Sequence, residues 1–293
     1  MKYRILGCYA GIAGKAGIRK RQKCGNVYVK RNEVDMRTIA VVNQKGGSAK
    51  TTTSVNLAAT LAEKGRRVLV IDLDPQHSAT TWFDVTEGGR GVFDLFAEPD
   101  KTSLETLVFK TMTDGVSLVP SSPWLVGAEK ALSTEPGAEQ LLREKLRALP
   151  ADRFDYILID CPPALGVLTV NALTAVTEVI VPVECHVMGL HGLAKLMQTV
   201  ETVRKRLNES LRITGIVVCR ADMRTKHGRE VVQQVKDRFP ELLYQTIIRE
   251  NVRIAECPSQ GVPITAYAGG SYGAEDYRKL ADEVIAQEGR KHG

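Results

Sequence analysis

The chain of 293 residues is 43% hydrophobic and 25% charged, ordinary proportions for a globular protein, which excludes a disordered, collagen-like or coiled-coil chain. It has no run of 18 apolar residues, which excludes a membrane-spanning helix, and its length allows one large α/β domain or two small ones. The formal charge is +6, which hints at nucleic acid, but residues 1–35 alone carry +7 and residues 36–293 sum to −1.

In chain order, the first segment is the basic one. Residues 1–35 hold a short apolar stretch, 5–13, followed by Arg19, Lys20 and Arg21. The stretch is too weak for an export signal, and a basic cluster follows it. A flexible basic arm and an upstream extension of a protein that starts at Met36 are the two readings that compete, and the second is preferred. From Met36 onward, short apolar runs alternate with helical spacing, which predicts a parallel sheet with crossover helices. Strands are expected at 38–43, 67–72, 156–160, 178–183 and 213–219, and a helix at 51–64. Leu190, Leu193, Met197, Val200, Val203 and Leu207 recur at three and four, one apolar face of a helix over 188–207. A last helix over 274–287 turns Tyr277, Leu280, Ala281 and Val284 inward. Residues 86–150 are less regular, punctuated by Gly88, Gly89 and Pro99. With no repeat, low-complexity tract or linker, 36–293 reads as a single doubly wound, mostly parallel α/β domain flanked by helices.

The strongest chemical signal is Lys45-Gly46-Gly47-Ser48-Ala49-Lys50-Thr51-Thr52, between the first predicted strand and the first helix. Glycines there let backbone N–H groups turn toward a phosphate, and the helix N-terminus adds partial positive charge. Lys50 would reach the β- and γ-phosphates, and the Thr51 hydroxyl would coordinate Mg²⁺. Asp72 and Asp74 end the second strand, where acids face the ligand crevice of an open sheet. Asp74 would orient the attacking water or hold a metal-bound water. Asp160 ends the run YILID, as the second element on the Mg²⁺ side, through water. Each acid read alone is equally a helix cap or an ion-pair partner; the order of all three motifs argues against chance.

These motifs resemble the ParA/Soj family of partition ATPases, within the ParA/MinD class of P-loop NTPases. The resemblance spans nearly all of 36–288. It is carried by Asn43-Gln44-Lys45-Gly46-Gly47, Asp72-Leu73-Asp74-Pro75-Gln76, Asp160-Cys161-Pro162-Pro163 and the stretch from Asn251 to Ile264. It implies ATP with Mg²⁺, a sandwich homodimer formed on ATP binding, and Lys45 reaching the partner's nucleotide. It further implies nonspecific double-stranded DNA as a matrix and a ParB-like adaptor that stimulates hydrolysis and release. The location implied is the cytoplasm, at the nucleoid.

One departure is Ala49, where the family usually has Gly. A Cβ there costs little at negative φ and about 1–3 kcal/mol at positive φ. It leaves open a second reading, a nucleotide-gated DNA-binding regulator with little hydrolysis.

Because the body is near neutral, any DNA site must be local. Arg220, Arg224, Lys226 and Arg229, with Arg249 and Arg253, are the expected patch, and the resemblance places Arg224 and Arg253 on DNA-binding positions. An ordinary solvated face is the competing reading. Aromatic content of 5% argues against stacking on single strands. The six cysteines have no metal-ligand spacing and read as reduced thiols; a cluster shared by two subunits or an ATP-dependent ligase are lesser readings. His77, His186, His191 and His227 read as surface or loop residues, and Trp82 and Trp124 as packing residues. The tail after 285 is polar, against an amphipathic membrane anchor.

Overall fold

Residues in the runs RTIAV, VLVID and YILID are buried on both sides, as central strands of a parallel sheet must be. In a computed structural model the described residues are 36–85, 90–185 and 189–288, with only the backbone at 189–191. The basic segment 1–35 with Cys8 and Cys24, the Gly88–Gly89 pair, His186, the His191 side chain and the tail beyond 288 lie outside them.

The strands are β1 (Arg37–Val41), β2 (Val68–Asp72), β3 (Phe109–Lys110), β4 (Val116–Val119), β5 (Tyr156–Asp160), β6 (Glu178–Glu184), β7 (Arg212–Ala221) and β8 (Ile248–Arg249). The helices are α1 (Lys50–Glu63), α2 (Ser78–Trp82), α3 (Val92–Ala97), α4 (Leu125–Leu132), α5 (Leu141–Arg147) and α6 (Val167–Ala175). They continue as α7 (Gly189–Arg206), α8 (Lys226–Arg238), α9 (Val252–Gln260), α10 (Ile264–Tyr267) and α11 (Tyr272–Ala286). The eight strands form one sheet in the order β3-β4-β2-β5-β1-β6-β7-β8. Every pairing is parallel except β3 with β4 at the edge. This is the mostly parallel, helix-flanked sheet that the sequence predicts.

Side chains alternate across the sheet and build a core on each face. Ile157 and Ile159 of β5 join Leu168, Leu193 and Val200 on one face. Tyr156 and Leu158 join Leu57 and Leu61 of α1 and Tyr277, Leu280 and Val284 of α11 on the other. The helix α11 therefore lies against α1, and Arg278–Glu63 and Lys64–Asp282 ion pairs border the contact. The predicted inward face of α11 is fully buried, and Leu193, Val200 and Val203 of α7 are buried as expected. Trp82 is buried, with its indole N–H on the Val262 carbonyl. Trp124 is not the packing residue expected: it is 74% exposed, because it stands at the N-cap of α4, whose first residue, Leu125, supplies the core contact.

Two irregularities shape the rim where the strands end. Pro182 sits within β6, yet no ladder bond is lost to β1, because that pairing ends at Val41 opposite Ile180. Arg220 has φ +54° in β7, where the register against β8 shifts between Cys219 and Ala221. It is the extra residue of a bulge: its neighbours are buried, and its own side chain is thrown outward.

Candidate nucleotide site and basic rim

Strands β2, β5 and β1 are neighbours, so Asp72, Asp160 and the loop after Val41 meet at one end of the sheet. Helix α1 starts without a side-chain cap, and its first intrahelical bond runs from Thr53 N–H to the Ala49 carbonyl. The N–H groups of Lys50, Thr51 and Thr52 therefore remain available for an anion, with the helix dipole behind them. Gly47 turns the loop at φ +73°, and a Cβ on Gly46 or Gly47 would meet nothing within 4 Å. Ala49 also has positive φ, +67°. The unfavourable branch of the sequence-based alternative is therefore the observed one: a β-carbon occupies a left-handed position, at about 1–2 kcal/mol.

Lys50 is only 6% exposed. Its ammonium donates to the Lys45 carbonyl at 3.5 Å. Burial pulls its pKa below the ordinary lysine range, opposed by the charges of Asp160 and Asp74. Asp160 is fully buried, and Ser54 Oγ donates to its Oδ1 at 3.1 Å. Burial first, and then Asp72 beside it, push the Asp160 carboxyl up, against Thr51, Lys50 and Ser54. Asp72 is raised too, by burial, although it accepts from Thr80 N–H at 2.8 Å and Thr80 Oγ1 at 2.7 Å.

Asp72 has a positioning role that the sequence did not disclose. It accepts the Asp74 N–H at 3.1 Å; Thr80 Oγ1 in turn accepts the Ser121 N–H, and Ser121 Oγ donates to the Asp74 carbonyl at 2.8 Å. Asp74 is thereby fixed at the cleft wall with Oδ1 on the Gln76 N–H. A DxD pair at a strand end was the available signal; the partners Thr80 and Ser121 are long-range.

The cleft holds ≈ 1320 Å³ and runs from residues 46–52 and Asp74 to Arg220, Arg224, Pro258 and Tyr272. That exceeds the roughly 300–1,000 Å³ usual for small-molecule sites. Gln44 Nε2, Ser48 Oγ and Asp160 Oδ2 are buried with no hydrogen-bond partner among the described residues. Free helix N–H groups and a buried ammonium on one wall, with an unpaired carboxylate oxygen buried behind it, are the set of groups that a phosphate chain and a hard divalent cation require. Lys45 does not line this cleft: its Nζ donates to Glu184 Oε2 at 2.6 Å.

The basic residues gather on the opposite rim, but most are paired. Arg220 contacts Glu184, Arg224 contacts Asp222, Lys226 contacts Glu230 and Arg253 contacts Glu256. Arg229 donates to the Met223 and Arg224 carbonyls. Arg249 is the most committed, doubly bonded to the buried Asp276, near Glu275, and stacked on Tyr272 at 4.4 Å. Arg249 thus anchors α11 to β8 rather than standing free. Lys226 and Arg229 occupy the first turn of α8, which has no acid there and is capped by Thr225. Cations at a helix N-terminus oppose the dipole, so this end is a surplus of positive potential built at a small cost in stability.

The four described cysteines are buried free thiols. Among the described residues, no group of three or more His, Cys, Asp or Glu is arranged to hold a metal, and no helix is long and apolar enough to cross a membrane.

Residues 36–213 match a family model described as an AAA domain. The chain is 42% identical to the sporulation initiation inhibitor protein Soj of Bacillus subtilis over 85% of this chain and 98% of that one. It is 46% identical to the chromosome-partitioning ATPase Soj of Thermus thermophilus, over 86% and 96%. Among solved structures, cobyrinic acid a,c-diamide synthase of Mycobacterium smegmatis, with a bound ATP analogue and magnesium, superposes with a TM-score of 0.74 at 35% identity, over 86% of this chain and 95% of that one.

Proposed function

The chain belongs to the ParA/Soj family of partition ATPases, and from that footing we propose that it is an ATP-gated, DNA-binding positioning protein. Residues 36–293 are the working domain, and 1–35 is dispensable. The observation that carries the reading is the meeting of the free N-terminus of α1, the buried Lys50 and Asp74 on the cleft wall, with the fully buried Asp160 held behind them by Ser54 of α1.

ATP is the substrate. The loop N–H groups and Lys50 hold its β- and γ-phosphates and take up charge as the terminal P–O bond breaks. Thr51, with Asp74 and Asp160 through water, would hold Mg²⁺, which supplies neutralisation of the phosphate oxygens. Asp74 orients the attacking water; the Gln76 N–H on its Oδ1 fixes the carboxylate, and the Ser121 hydroxyl on its carbonyl fixes the backbone that carries it. Lys45 acts on the nucleotide of a second subunit in an ATP-bound homodimer. Arg220, Arg224, Lys226, Arg229 and Arg253 contact DNA phosphates without reading sequence, and dimerisation doubles the patch. Arg249 is left out of that set because Asp276 and Glu275 already neutralise it. A ParB-like adaptor stimulates hydrolysis and releases the protein from DNA, in the cytoplasm at the nucleoid.

DNA binding with and without ATP tests this. Binding should appear only with ATP, vanish in Lys45→Ala and survive removal of residues 1–35. Loss of binding with residues 1–35, together with its survival in Arg224→Ala and Arg253→Ala, would reverse the assignment. A second reading, a nucleotide-gated regulator with little hydrolysis, draws on the strained Ala49. Phosphate release that stays at background with DNA and the adaptor present would favour it.

A further inference from the structure

Lys45 is tied to β6 twice. Its N–H donates to Asn43 Oδ1 at 3.1 Å, and Asn43 Nδ2 donates to the Pro182 carbonyl at 2.7 Å. Its ammonium donates to Glu184 Oε2 at 2.6 Å. The other oxygen of that carboxylate, Oε1, accepts from Arg220 Nη1 at 3.0 Å. Glu184 is 14% exposed, sheltered enough for these charge-assisted bonds to outweigh an open surface pair. Arg220 is at that carboxylate in the bulge, at φ +54°. A strained backbone thus places a rim arginine on the same group that holds the loop lysine.

We propose that Glu184 is a positioning residue that latches Lys45 to its own subunit, and that Arg220 makes the latch releasable. This rests on the reading that Lys45 acts across an ATP-bound dimer. For Lys45 to reach a second subunit's phosphates, its pair with Glu184 must break. Stripping a sheltered carboxylate of its cation is costly, but Arg220 stays on Oε1 and lowers that cost. Glu184 therefore sets how readily the dimer forms, and it ties that step to the charge left on the DNA-facing rim.

Substitutions at Glu184 and at Arg220 should act in opposite directions. In sedimentation with a non-hydrolysable ATP analogue and no DNA, Glu184→Gln should tighten the dimer about tenfold. Arg220→Ala should weaken it severalfold. Glu184→Gln should have no effect on dimerisation in a Lys45→Ala background. A dimer unchanged or weakened by Glu184→Gln, or the same shift without Lys45, overturns the latch.

A second measurement needs no dimer. Lys45 of the nucleotide-free protein is acylated with an N-hydroxysuccinimide ester, and its rate is read by peptide mass spectrometry against the exposed Lys236. Glu184→Gln should raise the relative rate severalfold, and an unchanged rate overturns the latch whatever the dimer does. If the rate rises yet the wild-type protein forms no dimer with the analogue, the trans reading fails and the gating role falls with it.

Discussion

At one wall of the cleft, Lys50 and Asp74 line the surface with Asp72 and Asp160 fully buried behind them; all four are less than a tenth exposed and come from adjoining strand ends and the start of α1. On the opposite rim, Arg220 and Arg224 are exposed, Arg224 at 91%, and each lies against its own acid. The first wall is preorganised: its charges are desolvated, so each exerts a strong effect on whatever enters. The rim is labile: its ion pairs are solvent-screened, and a phosphate backbone can replace an acid at little loss. Chemistry belongs where groups are fixed, and reversible attachment where they exchange partners. The difference predicts large, all-or-none effects on the buried wall and graded ones on the rim.

The comparison breaks first at Lys50. Lys50→Ala should lower ATP turnover by about 10²–10³-fold, measured as phosphate release, while thermal unfolding stays cooperative. A reduction of less than tenfold would mean that the wall is not the site of chemistry.

On the rim, Arg224→Ala and Arg253→Ala should each weaken ATP-dependent DNA binding equally on unrelated sequences. Each should also reduce the slope of log affinity against log salt by about one. An unchanged slope would show that the side chain touches no phosphate.

Titration sharpens the contrast. The buried Asp160 favours its protonated form in the folded chain, so its contribution to stability is full below the ordinary aspartate range and is lost as pH rises through the elevated native value. With chelator and without nucleotide, Asp160→Asn should therefore gain stability over the wild type as pH climbs from 5 to 8. Denaturant midpoints of the two proteins that move in parallel would contradict this.

The smallest effect is expected at Ala49. Replacing it with Gly relieves the left-handed β-carbon, so it should raise stability by about 1 kcal/mol and change ATP affinity or turnover by no more than about tenfold.

The buried wall was the more legible of the two in the sequence. Strands 156–160 and 67–72 were readable to within a residue, because a strand buried on both faces is a plain apolar run and its terminal acid marks the crevice. The loop from Lys45 to Thr52 was readable because its glycines, lysine and threonine are contiguous. What was hidden is whatever a distant partner decides. Strands β3, β4 and β8 are two to four residues long and depend on neighbours in the sheet. Helices α8 and α9 were not separated from the loops around them. The bulge at Arg220 has no glycine to announce it, and the neutralisation of Arg249 needs Asp276, 27 residues away. Trp124 misled because an aromatic residue beside an apolar helix reads as core whichever way it points.

The packing of α11 against α1 has a consequence for how the chain can be divided. The AAA-domain family model stops at residue 213, yet the helix that presents the phosphate loop has Leu57 and Leu61 in one core with Tyr277, Leu280 and Val284. A polypeptide cut at 213 would expose that apolar flank and leave Lys50, Thr51 and Thr52 on an unbraced helix, whatever motifs it retained. Supplying 214–293 as a separate chain should restore nucleotide binding, which makes this boundary a place to split the ATPase into two inactive halves that report on their own reunion.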